Sequence, residues 1–98
     1  MIPDQDLAAL CQDAYTFPVP LEMVYDRVQV MRLDQGPTAS FKDFAALMMA
    51  RLMGRFTRED GRQITILTAT SGDTGSAVAH AFHKVPGIRV IVLFPFAE

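Results

Sequence analysis

Gln63-Ile64-Thr65-Ile66-Leu67-Thr68-Ala69, running on into Thr70-Ser71-Gly72-Asp73-Thr74-Gly75, is the stretch that decides the fold. A β-branched, mostly apolar run passes through a short polar glycine turn into a helical pattern from about Thr74 to Lys84, which Pro86-Gly87 ends. Arg89 to Phe94 is a second continuous apolar run. Strand, turn, helix and strand together take about 30 residues, the size of a βαβ crossover, so the two strands are expected to be parallel and buried.

Working outward from this unit, a helix starts near Lys42 and runs to about Phe56, and Gly61 closes that section of the chain. The Gly36-Pro37 turn leads into that helix from a strand read over Arg27 to Leu33. Pro18 and Pro20 break the chain before it, and Asp4 caps a first helix through about Ala14, with Leu7, Leu10, Cys11 and Ala14 on one face. The expected fold is α/β, part of a three-layer open parallel sheet. Residues 1–26 form a helix and connector, and 27–98 carry the Lys42 helix and the βαβ unit. About three strands and three helices are too few to cover a parallel sheet on both edges and faces, so the chain reads as a piece of something larger.

Ninety-eight residues make one small domain at most. Half are hydrophobic, with six methionines and seven phenylalanines, so exposed apolar surface and self-association are expected. The net charge of -2 and the scattered arginines leave no footprint for nucleic acid. Cys11 is the only cysteine, which excludes an intrachain disulfide and suits a buried thiol in a reducing compartment. There is no secretory pattern at the start and no apolar run of membrane-spanning length, so the expected location is cytoplasmic, with no membrane partner.

Gly36-Pro37-Thr38-Ala39-Ser40-Phe41-Lys42-Asp43-Phe44 places a lysine in the first turn of its helix. At 100° per residue, Ala45, Ala46, Met49, Met53 and Phe56 lie within about 60° of Lys42, while Arg51 and Arg55 fall on the opposite, wetter side. An inward lysine at a helix N-terminus has its ammonium form disfavoured by burial and by the helix dipole, and a neutral amine is a nucleophile toward carbonyls. Asp43 pulls the other way, and it also stands where it closes a capping box with Ser40. The plain alternative is a lysine snorkelling to water along its own stem.

The turn from Ser71 to Gly75 sits where a strand's carboxyl end meets a helix N-terminus, the usual ligand position in open α/β sheets. Its free amides, with the hydroxyls of Ser71 and Thr74, suit a phosphate or carboxylate, and Gly72 and Gly75 let a ligand approach the main chain. Asp73 caps the helix or binds the ligand. The competing reading is a well-capped turn with no ligand. A Walker A loop fails because Ser76, not lysine, follows Gly75. Asp73-Thr74-Gly75 matches the aspartic-protease triplet, but Ser71-Gly72 precede it where that all-β fold has apolar strand residues, and a helical pattern follows. His80 and His83 read as a solvated face at a helix end; no metal site is expected.

A lysine at a helix start with a Ser-Gly-Asp-Thr-Gly turn some thirty residues later resembles the pyridoxal-phosphate enzymes of the tryptophan-synthase-β fold type (fold type II), and within them the threonine synthase family. The matching stretches are Gly36-Pro37-Thr38 with Phe41-Lys42-Asp43-Phe44, and Ile64 through Gly75 with Ala77-Val78-Ala79-His80-Ala81-Phe82. The likeness includes Phe17-Pro18-Val19-Pro20 and the strand ending at Phe94-Pro95; Phe96-Ala97-Glu98 departs from the family's usual continuation. The resemblance implies a lyase of threonine biosynthesis that converts O-phosphohomoserine and water to threonine and phosphate. It implies that Lys42 forms the aldimine with pyridoxal 5'-phosphate and then acts as base. Ser71, Gly72, Asp73, Thr74 and Gly75 would hold the substrate carboxylate, with Asp73 near the cofactor's ring hydroxyl. The family's cofactor-phosphate cup and pyridine-nitrogen partner are missing from these residues, so the chain alone is expected to turn over little. The rival from another class is a noncatalytic, anion-binding, self-associating α/β module.

Overall fold

The computed structural model describes Met1–Phe96, so the expectation about Ala97 and Glu98 lies outside the described residues. Chain order is α1 (Asp4–Ala14), β1 (Leu21–Tyr25), β2 (Val28–Met31), α2 (Lys42–Asp60), β3 (Ile64–Ala69), α3 (Asp73–Phe82) and β4 (Ile88–Leu93). β3 and β4 pair in parallel from Ile64 opposite Ile88 to Ala69 opposite Leu93, with α3 crossing between them. This is the βαβ unit that the apolar runs and the glycine turn predict, in an open α/β arrangement.

Along both parallel strands exposure alternates strictly. Ile66, Ile88 and Val90 pack toward the core, whereas Leu67, Ile91 and Leu93 point to solvent. Helices cover one face of this sheet, and its other face is bare among the described residues. The bare face carries Leu67, Ala69, Ile91 and Leu93 beside Thr65 and Arg89, so it is apolar toward the carboxyl ends of the strands.

The core is small and built largely from alanine: Ala14, Ala46, Leu47, Ala50, Ala77, Ala81 and Phe82. α2 buries Ala46, Ala50 and Gly54 where it meets α3, which buries Ala77 and Ala81. At Gly54 an added Cβ would stand 3.0 Å from Val85 Cγ1, so short side chains set how closely the chain packs there. Gly61 ends α2 in the left-handed conformation, its amide donating to Thr57 O, so the helix continues to Asp60, past the end expected near Phe56.

Three expectations are corrected. The stripe around Lys42 is not the packed one: Ala45, Met49 and Phe56 are exposed, while the buried stripe runs through Asp43, Ala46, Leu47, Ala50, Gly54 and Thr57. Nor do the arginines mark open solvent, because α1 lies across them, with Arg51 paired to Asp13 at 2.8 Å and Arg55 to Asp6 at 3.0 Å. Cys11, expected to be buried, is only half-buried. Its neighbour on the same helix face, Leu10, is half-buried too, since α1 covers α2 along one side only.

The fourth strand, β1, was not expected. It pairs antiparallel with β2 across Asp26-Arg27, with Asp26 left-handed at φ 49° and a bulge between Met23 and Tyr25. Every residue of both strands is exposed. The hairpin therefore spans both sides of the division read at residue 26. It projects from a flat molecule whose extents are 53 × 48 × 18 Å. The radius of gyration is 16.0 Å, against about 13 Å for a compact chain of 100 residues.

Arg32 closes the hairpin's base. Its guanidinium donates to both carboxylate oxygens of Asp34 at 2.7 Å and to Glu22 Oε1 at 2.6 Å, on β1. The fork holds the Asp34 carboxyl well below the ordinary range, chiefly through the Arg32 hydrogen bond. A depressed folded value means that the contribution is complete above the unfolded value of about 3.9 and is lost as pH falls toward the lowered one. We therefore expect the protection of the hairpin amides, relative to intrinsic exchange, to fall selectively at pH 3 and below, and Arg32→Met to lower it in the same way at neutral pH.

Candidate functional site

Two helix starts meet at the site. At the first, the chain turns at Gly36, where Ala39 N–H donates to Gly36 O at 3.1 Å and Ala39 takes a left-handed φ of 56°. Asp43, 1% exposed, fills the turn from behind. Its Oδ2 accepts from the Thr38 amide at 2.9 Å and its Oδ1 from the Thr38 hydroxyl at 2.6 Å. A Cβ at residue 36 would lie 2.6 Å from the same Oδ2, so glycine is required there by the closeness of the carboxylate.

The expected capping box is replaced by this arrangement. Ser40 Oγ accepts from the Lys42 amide at 3.2 Å, but the Asp43 carboxylate turns to Thr38 and not back to Ser40. One carboxylate satisfying a backbone and a side-chain donor in the same turn explains why it stays buried without an ion pair.

Outside the turn, Tyr15 donates its hydroxyl to Phe44 O at 2.9 Å, and Tyr15, Phe17 and Phe44 form an aromatic cluster with ring centroids 5.3 to 6.4 Å apart. The Phe17-Pro18 segment thus supports the first turn of α2 from the α1 side. Nothing in the sequence reading anticipated the Thr38–Asp43 or Tyr15–Phe44 contacts. A threonine five residues before an aspartate across a Gly-Pro turn is the only signal that the first pair offered.

The second start is the turn into α3. Gly72 N–H donates to Thr70 Oγ1 at 3.1 Å, and the amides of Gly75 and Ser76 return to Gly72 O. Ser71, Gly72 and Asp73 are exposed, Thr74 is half-buried and Gly75 is buried. The two glycines differ in what they accommodate. A Cβ on Gly75 would overlap Thr70 Cγ2 and stand 3.1 Å from Val92 Cγ1, so this glycine serves helix-to-sheet packing; a Cβ on Gly72 would meet no protein atom.

Lys42 joins the two starts. Its Nζ donates to Thr74 Oγ1, 32 residues away, and lies 5.9 Å from the Phe41 ring centroid. The lysine and the glycine turn, read from the sequence as separate motifs, are therefore one constellation. The turn separates two open clefts. One, about 470 Å³, lies between Asp73, Phe41 and the end of the hairpin at Val30–Leu33. The other, about 380 Å³, lies between Ser71, Gly72, Ala79, Val92 and Phe94. A third depression of about 460 Å³, among Leu10, Arg51, Arg58, His80 and Lys84, contains neither motif. His80 and His83 are both exposed.

The start of α3 and the Lys42 amine come together here, an arrangement suited to an anion. The Asp73 and Thr74 amides open α3 and have no intrahelical acceptor. We expect Asp43→Ala to lower folding stability by about 2–3 kcal/mol, from loss of the two Thr38 hydrogen bonds to a buried carboxylate, read as a shift in the urea midpoint. Gly75→Ala should cost about 1–3 kcal/mol through overpacking against Thr70 and Val92, in the same measurement.

No protein-family model matches the chain. It is 49% identical over 94 residues to threonine synthase from Haemophilus influenzae, covering 96% of this chain and 22% of that protein. Among solved structures, it superposes with a TM-score of 0.90 on a pyridoxal-phosphate-bound threonine synthase from Brucella melitensis, at 37% identity over 96% of this chain and 21% of that one. With threonine synthase from Escherichia coli the TM-score is 0.84, at 43% identity over 99% of this chain and 22% of that one. The chain spans about a fifth of the length of these relatives, and over nearly all of its own residues it matches threonine synthases in both sequence and fold.

Proposed function

We propose that this chain carries the cofactor-lysine segment of a pyridoxal-phosphate-dependent threonine synthase, a cytoplasmic lyase that converts O-phosphohomoserine and water to threonine and phosphate. The observation that carries the reading is the Lys42 Nζ–Thr74 Oγ1 hydrogen bond, which puts the one amine of α2 against the anion-suited start of α3. The pyridoxal-phosphate-bound relative, similar over nearly the whole chain, supports the same cofactor here.

The residues fit that cofactor. Pyridoxal phosphate supplies, when bound, an aldehyde carbon for a lysine amine and a ring that withdraws electrons from the substrate's carbon centres. Lys42 is the residue that holds it covalently, and its amine, once released, moves a proton to or from the substrate. Asp73 lines the same cleft as Phe41, and its carboxylate would serve the cofactor's ring hydroxyl. Ser71, Gly72 and Thr74, with the Asp73 and Thr74 amides that open α3, bind the substrate's carboxylate and fix its orientation, while Gly75, its own amide bonded to Gly72 O, seats the turn on the sheet.

With one sheet face bare and both clefts open, the 98-residue chain alone excludes little water from these groups, so its own turnover is low. The exposed side chains of β1, β2 and the outer face of β3–β4 also favour self-association.

Incubation with pyridoxal phosphate, borohydride reduction and peptide mapping tests the reading. The label is expected on Lys42 in preference to Lys84 and the N-terminus, and Lys42→Ala should abolish the preferred site. An even spread would refute it, and a dimer stabilised by phosphate without preferential labelling would favour the noncatalytic anion-binding module.

A further inference from the structure

We propose that Thr74 is a positioning residue for the Lys42 amine, fixing the nitrogen at the junction of α2 and α3 whenever it carries no covalent partner. The proposal rests on the reading of Lys42 as the cofactor-bearing amine, and it assigns Thr74 a task separate from holding substrate.

A lysine has a flexible stem and a compact ammonium with three rotatable donors, so it settles in one place only where the surroundings hold it. Thr74 supplies a hydroxyl on a β-branched side chain, in which χ1 is restricted. It is the second residue of α3, and Lys42 is the first of α2, so both groups sit on helices packed against each other. The bond to Thr74 and the approach to the Phe41 ring are the contacts at Nζ. Neither carries a charge.

The neighbouring acids are turned elsewhere. The Asp43 carboxylate is taken up by the Thr38 amide and hydroxyl, and among the described residues no carboxylate lies within ion-pair distance of Nζ. An amine held by a neutral hydroxyl is aimed without being paired. Covalent capture of this nitrogen would give up one hydrogen bond and break no ion pair. A carboxylate in the place of Thr74 would hold the amine more tightly and favour its charged, non-nucleophilic form.

The chain has only two lysines, Lys42 and the exposed Lys84, so lysine-selective ¹³Cε relaxation gives one signal from the site and one internal control. In the wild type the Lys42 signal should be clearly more ordered than that of Lys84. Thr74→Val should bring it to the Lys84 level and lower the share of borohydride-trapped pyridoxal phosphate on Lys42 at least five-fold, and Thr74→Ser should restore both to within two-fold. Amide spectra report whether each variant folds, and Thr74→Ala replaces the valine variant if that one does not.

Lys42 as mobile as Lys84 in the wild type, or unchanged order in the valine variant, overturns the proposal. Failure of Lys42 to label preferentially, with its order still dependent on the Thr74 hydroxyl, would instead support the positioning role and refute the cofactor reading alone.

Discussion

Close packing of α2 against α3 through alanine and glycine is the constraint on which the rest of the structure depends. Side chains of this size contribute little area each, so the seam stabilises by bringing two backbones near one another, not by bulk. Because both helices begin at the same end of the seam, bringing them together also brings their first turns together. The bond between Lys42 and Thr74 is a consequence of that geometry, and lengthening any seam residue would move one helix start relative to the other.

Each start is then shaped by its own local device. At α2 the device is a buried carboxylate that organises the preceding turn and leaves the adjacent amine unpaired. At α3 it is a glycine pressed between Thr70 and Val92, which fixes the turn on the end of the sheet. The two devices do different work. One satisfies polar groups where water is excluded, and the other removes a steric obstacle. Both leave polar groups facing the open clefts, which is where a ligand would be met.

The βαβ unit was legible because Ile64–Ala69 and Ile88–Leu93 are short apolar runs separated by a glycine turn and a helical pattern, and their parallel pairing follows from that order. The end of α1 at Ala14 was legible, whereas α2 runs to Asp60, past the end read near Phe56. The orientation of α2 was not. Periodicity locates an apolar stripe without saying what covers it, and here Met49 and Phe56 remain exposed while smaller residues are buried. β1 was hidden because Leu21-Glu22-Met23-Val24-Tyr25 lacks a clean alternation and includes the bulge that interrupts its register. Both motifs of the site were visible as local patterns, but the Lys42–Thr74 contact that joins them spans 32 residues in sequence, which no local pattern encodes.

The attachment of α1 has a consequence of its own. Ala14 is its only buried residue; it is otherwise tied down by the Tyr15 hydroxyl and by two guanidinium–carboxylate pairs that reach it from Arg51 and Arg55. Pairs of this partly exposed kind weaken as dissolved ions shorten the Debye length, to about 3 Å at 1 M. The alanine seam answers to the opposite influence, since strongly excluded salts reinforce apolar burial. A strongly excluded salt such as sulfate therefore acts in two directions on one small molecule, loosening its first helix while tightening the junction that holds the amine.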